Sequence, residues 1–239
     1  MLRFVCGVSC AAAALIGLTL ADPPRPESGP VTADAALKAL KDGNARFASG
    51  KPTHPHENAG WRHQLEAGQH PFAVVIGCSD SRVPPELLFD QGFGDLFVIR
   101  VAGNVVDTDV VASVEYAIDH LDTQLIVVMG HTCCGAVTAT IDHLSNPDGE
   151  PAEVVSLLYQ IEPATMGLDR NLPRKDFVAK AIEQNVQLAV RRLSRVPDLR
   201  RSLKSGAVKL VGAVYDMHTG KVNFVGDADN APAWQIGAR

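Results

Sequence analysis

Aromatic residues are scarce in this chain. Phe, Trp and Tyr make up 5% of it, too few to suggest the stacking platforms that hold single-stranded nucleic acids. A basic excess is missing too. The 22 Lys and Arg face 27 Asp and Glu, for a net charge of −5, which argues against nucleic acid or an anionic membrane as partner. The apolar run from Val8 to Leu20 falls short of the ~20 residues of a comfortable membrane span. Cysteine is limited to five residues, at 6, 10, 78, 133 and 134, and is not spread along the chain as a disulfide framework would be. Charged residues are 21% and hydrophobic ones 46% of 239, so the composition is that of one well-buried core and not of a disordered chain.

The first residues read as an address. Arg3 precedes the apolar run, Thr19-Leu20-Ala21 offers small side chains before a cut, and Asp22-Pro23-Pro24 breaks the run. This predicts an export signal over 1–21, a linker over 22–31 and a periplasmic or secreted protein with no stable membrane insertion after cleavage. An uncleaved anchor or a buried helix is the competing reading. Cleavage removes Cys6 and Cys10, leaving Cys78, Cys133 and Cys134.

From Thr32, Leu37, Leu40 and Phe47 share a helical face up to Gly50, and Trp61 with Leu65 suits a second helix. These form an N-terminal helical arm that could pack on another subunit. The pattern then alternates. Phe72–Gly77, Asp95–Arg100, Gln124–Gly130 and Ala207–Tyr215 read as strands, the first and third continuously apolar, as strands buried on both faces are. Helices are expected near Pro84–Glu86, over Thr108–Leu121 and Cys134–Leu144, and over about Lys175–Arg195. Asp216–Gly220 turns the chain into a last strand ending near Val225. The fold class is therefore α/β: a mostly parallel core sheet of four strands plus an antiparallel edge strand, flanked by helices, in one domain over 32–230, with 231–239 as a tail.

Two strings carry the chemistry: Cys78-Ser79-Asp80-Ser81-Arg82 and His131-Thr132-Cys133-Cys134. Both follow strands, at the carboxyl edge where open α/β sheets bind ligands. Cys78, His131 and Cys134 make a soft set of two sulfurs and one nitrogen suited to zinc, with a fourth tetrahedral position open. Taken singly, each could be a buried Cys or a hydrogen-bonded His. Two thiolates neutralise a bound zinc, so water there is expected to ionise above the pKa of about 7 found at a three-His site. Activity should then rise through alkaline pH. Asp80 and Arg82 lie i, i+2, and an extended backbone would put both on the Cys78 side. Arg82 can hold Asp80 ionised, unless the two form a routine surface ion pair. Asp80 could also swing onto the metal and close the site. Cys133 is expected to be a small buried residue, with a redox role as the alternative.

Cys78-x-Asp80-x-Arg82 with His131-x-x-Cys134-Gly135 resembles the β-class carbonic anhydrases. The likeness runs from about 32 to 226 and includes Arg100-Val101-Ala102-Gly103-Asn104, Glu115-Tyr116-Ala117 and Tyr215-Asp216…Thr219-Gly220. The resemblance implies reversible hydration of carbon dioxide to bicarbonate and a proton, one Zn2+ per chain, and a homodimer or higher even oligomer. It implies Cys78, His131 and Cys134 as ligands, Asp80 and Arg82 as catalytic dyad, Gln69 as a substrate-contacting amide, and Phe97 and Tyr116 as pocket walls contributed across the dimer. The competing readings are a turn residue for Gln69 and plain core for Phe97 and Tyr116. Val75 stands where bicarbonate-regulated members carry Trp, so the chain resembles the subset with an open site. His120, four residues after Tyr116, shares a helix face with it and is a candidate proton shuttle or a solvent-facing helix-end His. Two rival functions use the same residues: hydrolysis of carbon disulfide or carbonyl sulfide, and non-catalytic zinc or bicarbonate sensing. Keeping both Asp80 and Arg82 argues against the sensor.

Overall fold

The computed structural model describes residues 31–147 and 149–225. The expected export signal, the linker up to residue 30 and the tail over 231–239 lie outside the described residues.

Thr32 caps the first helix, α1 (Ala33–Ala48), by accepting a hydrogen bond from the Ala35 amide. A short helix α2 (Ala59–Gln64) completes the arm. The sheet follows, with β1 (Ala73–Gly77), β2 (Leu96–Arg100), β3 (Leu125–His131), β4 (Lys209–Asp216) and β5 (Lys221–Val225). Its order is β2-β1-β3-β4-β5. The first four strands run parallel, and β5 returns antiparallel beside β4. Helices α3 (Pro85–Leu88), α4 (Thr108–Leu121), α5 (Gly135–Ser145), α6 (Ala152–Ile161), α7 (Arg174–Ser194) and α8 (Pro197–Ser205) fill the connections.

The α/β expectation holds, and the boundaries of α1, α4, α5 and α7 fall within a residue or two of the pattern. Two helices escaped it. Helix α8 has only Leu199 and Leu203 on an otherwise charged turn, although Pro197 at its first position is a start signal. Helix α6 reads as an apolar run without clear caps. His131 is the last residue of β3, not a residue beyond it.

Alternation along the buried strands splits the core in two. Val75, Val127, Met129, Val211 and Ala213 pack with α1 on one face. Val74, Ile76, Ile126 and Val128 pack with α4, α7 and α8 on the other. Helix α7 lies close to the sheet because Gly130 and Gly212 have no side chain. A Cβ on Gly130 would come 2.6 Å from Val186 Cγ2, and one on Gly212 2.9 Å from its Cγ1.

The arm is tied down by buried polar groups. Asn44 donates to the Leu88 and Gly220 carbonyls and accepts from the Val222 amide. Asp90, 3% exposed, accepts from Arg46 Nε, the Thr53 and His54 amides and Thr53 Oγ1. Burial alone would raise its pKa. The Arg46 guanidinium and those donors outweigh burial and bring it to about 2. Asp90 is therefore a depressed-pKa group, and its stabilisation is present above the unfolded value of about 3.9 and lost as pH falls toward 2. The expected contribution at neutral pH is about 2 kcal/mol. In chemical denaturation at pH 7, Asp90→Asn should lose at least that much, and the gap from the parent should close between pH 4 and 2. A gap independent of pH would refute the assignment.

Candidate metal centre

The chain passes from β1 outward to β2 and then returns to place β3 on the other side of β1. Strand order reverses between β1 and β3, and a crevice opens at their carboxyl ends. Gly77 is paired with Met129, so Cys78 leaves β1 beside Gly130, with His131 one residue further along β3. Cys134 caps the start of α5 from the turn after β3.

Cys78, His131 and Cys134 are all buried, and their ligand atoms lie within 4.8 Å of one another. A tetrahedral zinc, with bonds of ~2.3 Å to sulfur and ~2.0 Å to nitrogen, fits that spread. His131 Nδ1 is 3.0 Å from the Thr132 carbonyl. A carbonyl only accepts, so Nδ1 carries the proton and Nε2 keeps its lone pair. That Nε2 is buried with no hydrogen-bond partner. An orphaned imidazole nitrogen beside two thiols is the donor set a soft divalent cation completes.

The sulfurs point the same way. The Cys134 thiol, His131 and the Asp80 and Gly103 amides lower the Cys78 pKa against burial. The contact with Cys78 and burial together push Cys134 up. Two adjacent thiolates repel, and a cation lets both ionise. Cys78 Sγ accepts from the Gly103 amide at 3.2 Å and from the Asp80 amide at 3.4 Å.

The dyad forms, though not through extended backbone. The Val83 amide donates to the Asp80 carbonyl and the Arg82 amide to Asp80 Oδ1, so the segment turns back on itself as Asp side chains favour. Arg82 Nε and Nη2 grip Asp80 Oδ1 and Oδ2 at 2.9 and 2.7 Å. This guanidinium holds the Asp80 carboxyl far below the usual carboxylate range. Asp80 Oδ2 lies 3.9 Å from His131 Nε2. Arg82 Nη2 also donates to the Cys133 carbonyl, linking the two strings. Arg100 braces the first string from β2, donating to the Cys78 and Asp80 carbonyls. Its part was not read from the sequence, where an Arg closing a strand gives no sign of its acceptors.

The remaining candidates make none of these contacts. Gln69 is exposed in the segment before β1. Phe97 and Tyr116 have ring centroids 6.3 Å apart, and Tyr116 is 48% exposed. His120 sits 5.0 Å from the Tyr116 ring near the exposed end of α4. Cys133 is not buried. It is exposed with φ +58, in the left-handed region disfavoured for residues with a Cβ. That twist turns its side chain away while its neighbours face inward.

The family model for carbonic anhydrase matches residues 73–222. The chain belongs to the β-class carbonic anhydrase family. It is 43% identical over 202 residues to a carbonic anhydrase of Mycolicibacterium smegmatis, covering 83% of this chain and 95% of that one. It is 40% identical over 198 residues to carbonic anhydrase 2 of Mycobacterium tuberculosis, covering 82% and 93%. Among solved structures it resembles the β-carbonic anhydrase CcaA, with TM-score 0.66 and 30% identity over 79% of this chain and 87% of that one. It also resembles a chain from the crystal structures of two tetrameric β-carbonic anhydrases of Sordaria macrospora, with TM-score 0.64 and 27% identity over 81% of this chain and 98% of that one.

Thiol labelling tests the placement of the cysteines. In metal-loaded protein Cys133→Ser should remove one fast-reacting thiol, and chelation should expose two more in the same variant. Unchanged fast labelling in Cys133→Ser would contradict the geometry.

Proposed function

We propose that this carbonic anhydrase hydrates carbon dioxide on one zinc ion held by Cys78 Sγ, His131 Nε2 and Cys134 Sγ, with Asp80 and Arg82 as its catalytic dyad. The observation that carries the reading is the two-pronged grip of Arg82 on Asp80 beside the unpartnered His131 Nε2. When bound, zinc supplies the Lewis acidity that makes water a nucleophile near neutral pH.

Asp80 does the orienting. Its carboxylate stays ionised, so it only accepts hydrogen bonds. A nucleophilic water donating to Oδ2 would keep a lone pair free for the carbon of carbon dioxide. Arg82 locks the carboxylate rotamer and keeps it off the ligand cluster, which makes this the open arrangement. The Gly103 and Asp80 amides hold the Cys78 sulfur in place. Carbon disulfide or carbonyl sulfide hydrolysis and sensing have no observation in their favour.

The substrate pocket is completed between two copies of the chain in this proposal, in a homodimer or higher even oligomer. The half-exposed Tyr116 ring against Phe97 and the exposed Gln69 amide supply the walls and the substrate contact. The Sordaria macrospora relatives are described as tetrameric, in keeping with assembly from such pairs. The Tyr116–His120 pair carries the product proton outward. Among the described residues no helix is long and apolar enough to cross a membrane. Export to the periplasm or beyond rests on the composition of residues 1–21.

Two variants test these roles. Asp80→Asn should keep zinc bound and lower hydration by 10²-fold or more, the order of a lost acid–base or orienting group. His120→Ala should slow turnover in weak buffer and recover with imidazole. Full activity in Asp80→Asn would overturn the dyad, and an unchanged His120→Ala rate would remove the relay.

A further inference from the structure

A cavity of about 270 Å³ lies between the segment before α4 and helices α6 and α7. Val105, Val106, Pro163 and Leu188 give it apolar walls, and Gln160, Asn185 and Arg192 add polar groups. Among the described residues no carboxylate lines it. Arg192 is exposed, and its one recorded side-chain partner is neutral: Gln160 Oε1 at 3.4 Å. Arg191 and Arg195 lie next to it at the end of α7 and add positive charge there, although the chain as a whole carries −5. An apolar chamber below the drug-sized range of ~300–1,000 Å³, with one guanidinium free to take a carboxylate in two-pronged fashion, fits a small monocarboxylate with a compact apolar body.

The cavity also touches the scaffold of the metal centre. Asn185 is 3% exposed, and its Nδ2 donates to the Gly103 carbonyl at 2.7 Å. The Gly103 amide donates in turn to Cys78 Sγ at 3.2 Å. Gly103 has φ +65, and the Ile161 and Ala136 side chains stand 2.6 and 3.1 Å from where a Cβ would be. The residue is thus closely confined between the cavity wall at Asn185 and the Cys78 sulfur. Val105 and Val106 continue directly from this segment into the cavity.

We propose that this cavity is an effector site for a small apolar monocarboxylate, and that its occupancy is sensed at Cys78 through Asn185 and Gly103. Binding depends only on the cavity. The sensing half rests on the reading of Cys78 as a metal ligand.

Benzoate is the probe, with benzyl alcohol as its uncharged counterpart. Calorimetry on the zinc-loaded protein should show saturable benzoate binding and at least tenfold weaker binding of the alcohol. Arg192→Gln should weaken benzoate at least tenfold, and Leu188→Trp, which fills the chamber, should abolish binding, with basal hydration unchanged in Arg192→Gln. In cobalt-substituted protein, benzoate should shift the thiolate-to-cobalt absorption in the parent and leave it unmoved in Arg192→Gln. No saturable binding would overturn the site, as would equal benzoate affinity in the parent and Arg192→Gln, the pattern of an anion sitting on the metal itself. Binding lost with Arg192 but accompanied by no spectral shift in the parent would overturn the sensing.

Discussion

Parallel pairing of β1 with β3 carries the rest of the structure. Val74 to Gly77 stand opposite Ile126 to Met129, and that register brings Cys78 within one residue of His131 at the carboxyl edge. Side chains alternate between sheet faces, so a slip of one residue would exchange the two halves of the core and undo the present placement of Cys78 against His131. The hydrophobic pattern prevents the slip. Val74, Ile76, Ile126 and Val128 belong to the α7 face, where Gly130 and Gly212 admit Val186. Core packing and ligand placement are thus fixed by the same residues.

Electrostatics then separates the roles of neighbouring groups. Two sulfurs and a neutral imidazole match the charge of one divalent ion, so the cluster needs no further anion. Asp80 is an anion a short distance away and is held off by Arg82 at both oxygens. Had Asp80 lacked that partner, the attraction of a bound cation would favour its direct ligation and a closed site. Arg82 and Arg100 spend their remaining donors on the carbonyls of Cys133, Cys78 and Asp80, which turns two exposed cations into braces for the loops that carry the ligands.

Much of this could be read from residue order. Continuous apolar strands and the helical stripes of α1, α4 and α7 gave the fold class, because burial on both faces and amphipathic spacing follow directly from side-chain chemistry. The clustering of Cys78, His131 and Cys134 was readable because thiols and an imidazole at strand ends have few other uses together. Conformation at single residues was not. Nothing in a Cys-Cys pair says that the first adopts a left-handed φ and faces out, or that Asp80 meets Arg82 through a turn. Long-range partners were equally hidden: Asn185 and Gly103 are 82 residues apart, and the cavity beside them follows from how α6 and α7 pack.

The atoms around the metal decide the chemistry of this site. X-ray absorption at the zinc edge of the resting enzyme should fit two sulfurs at about 2.3 Å, one imidazole nitrogen at about 2.0 Å and one further light atom. Three sulfurs would place Cys133 on the metal, and a shell of nitrogen and oxygen alone would dismiss Cys78 and Cys134. Either result would contradict the site described above.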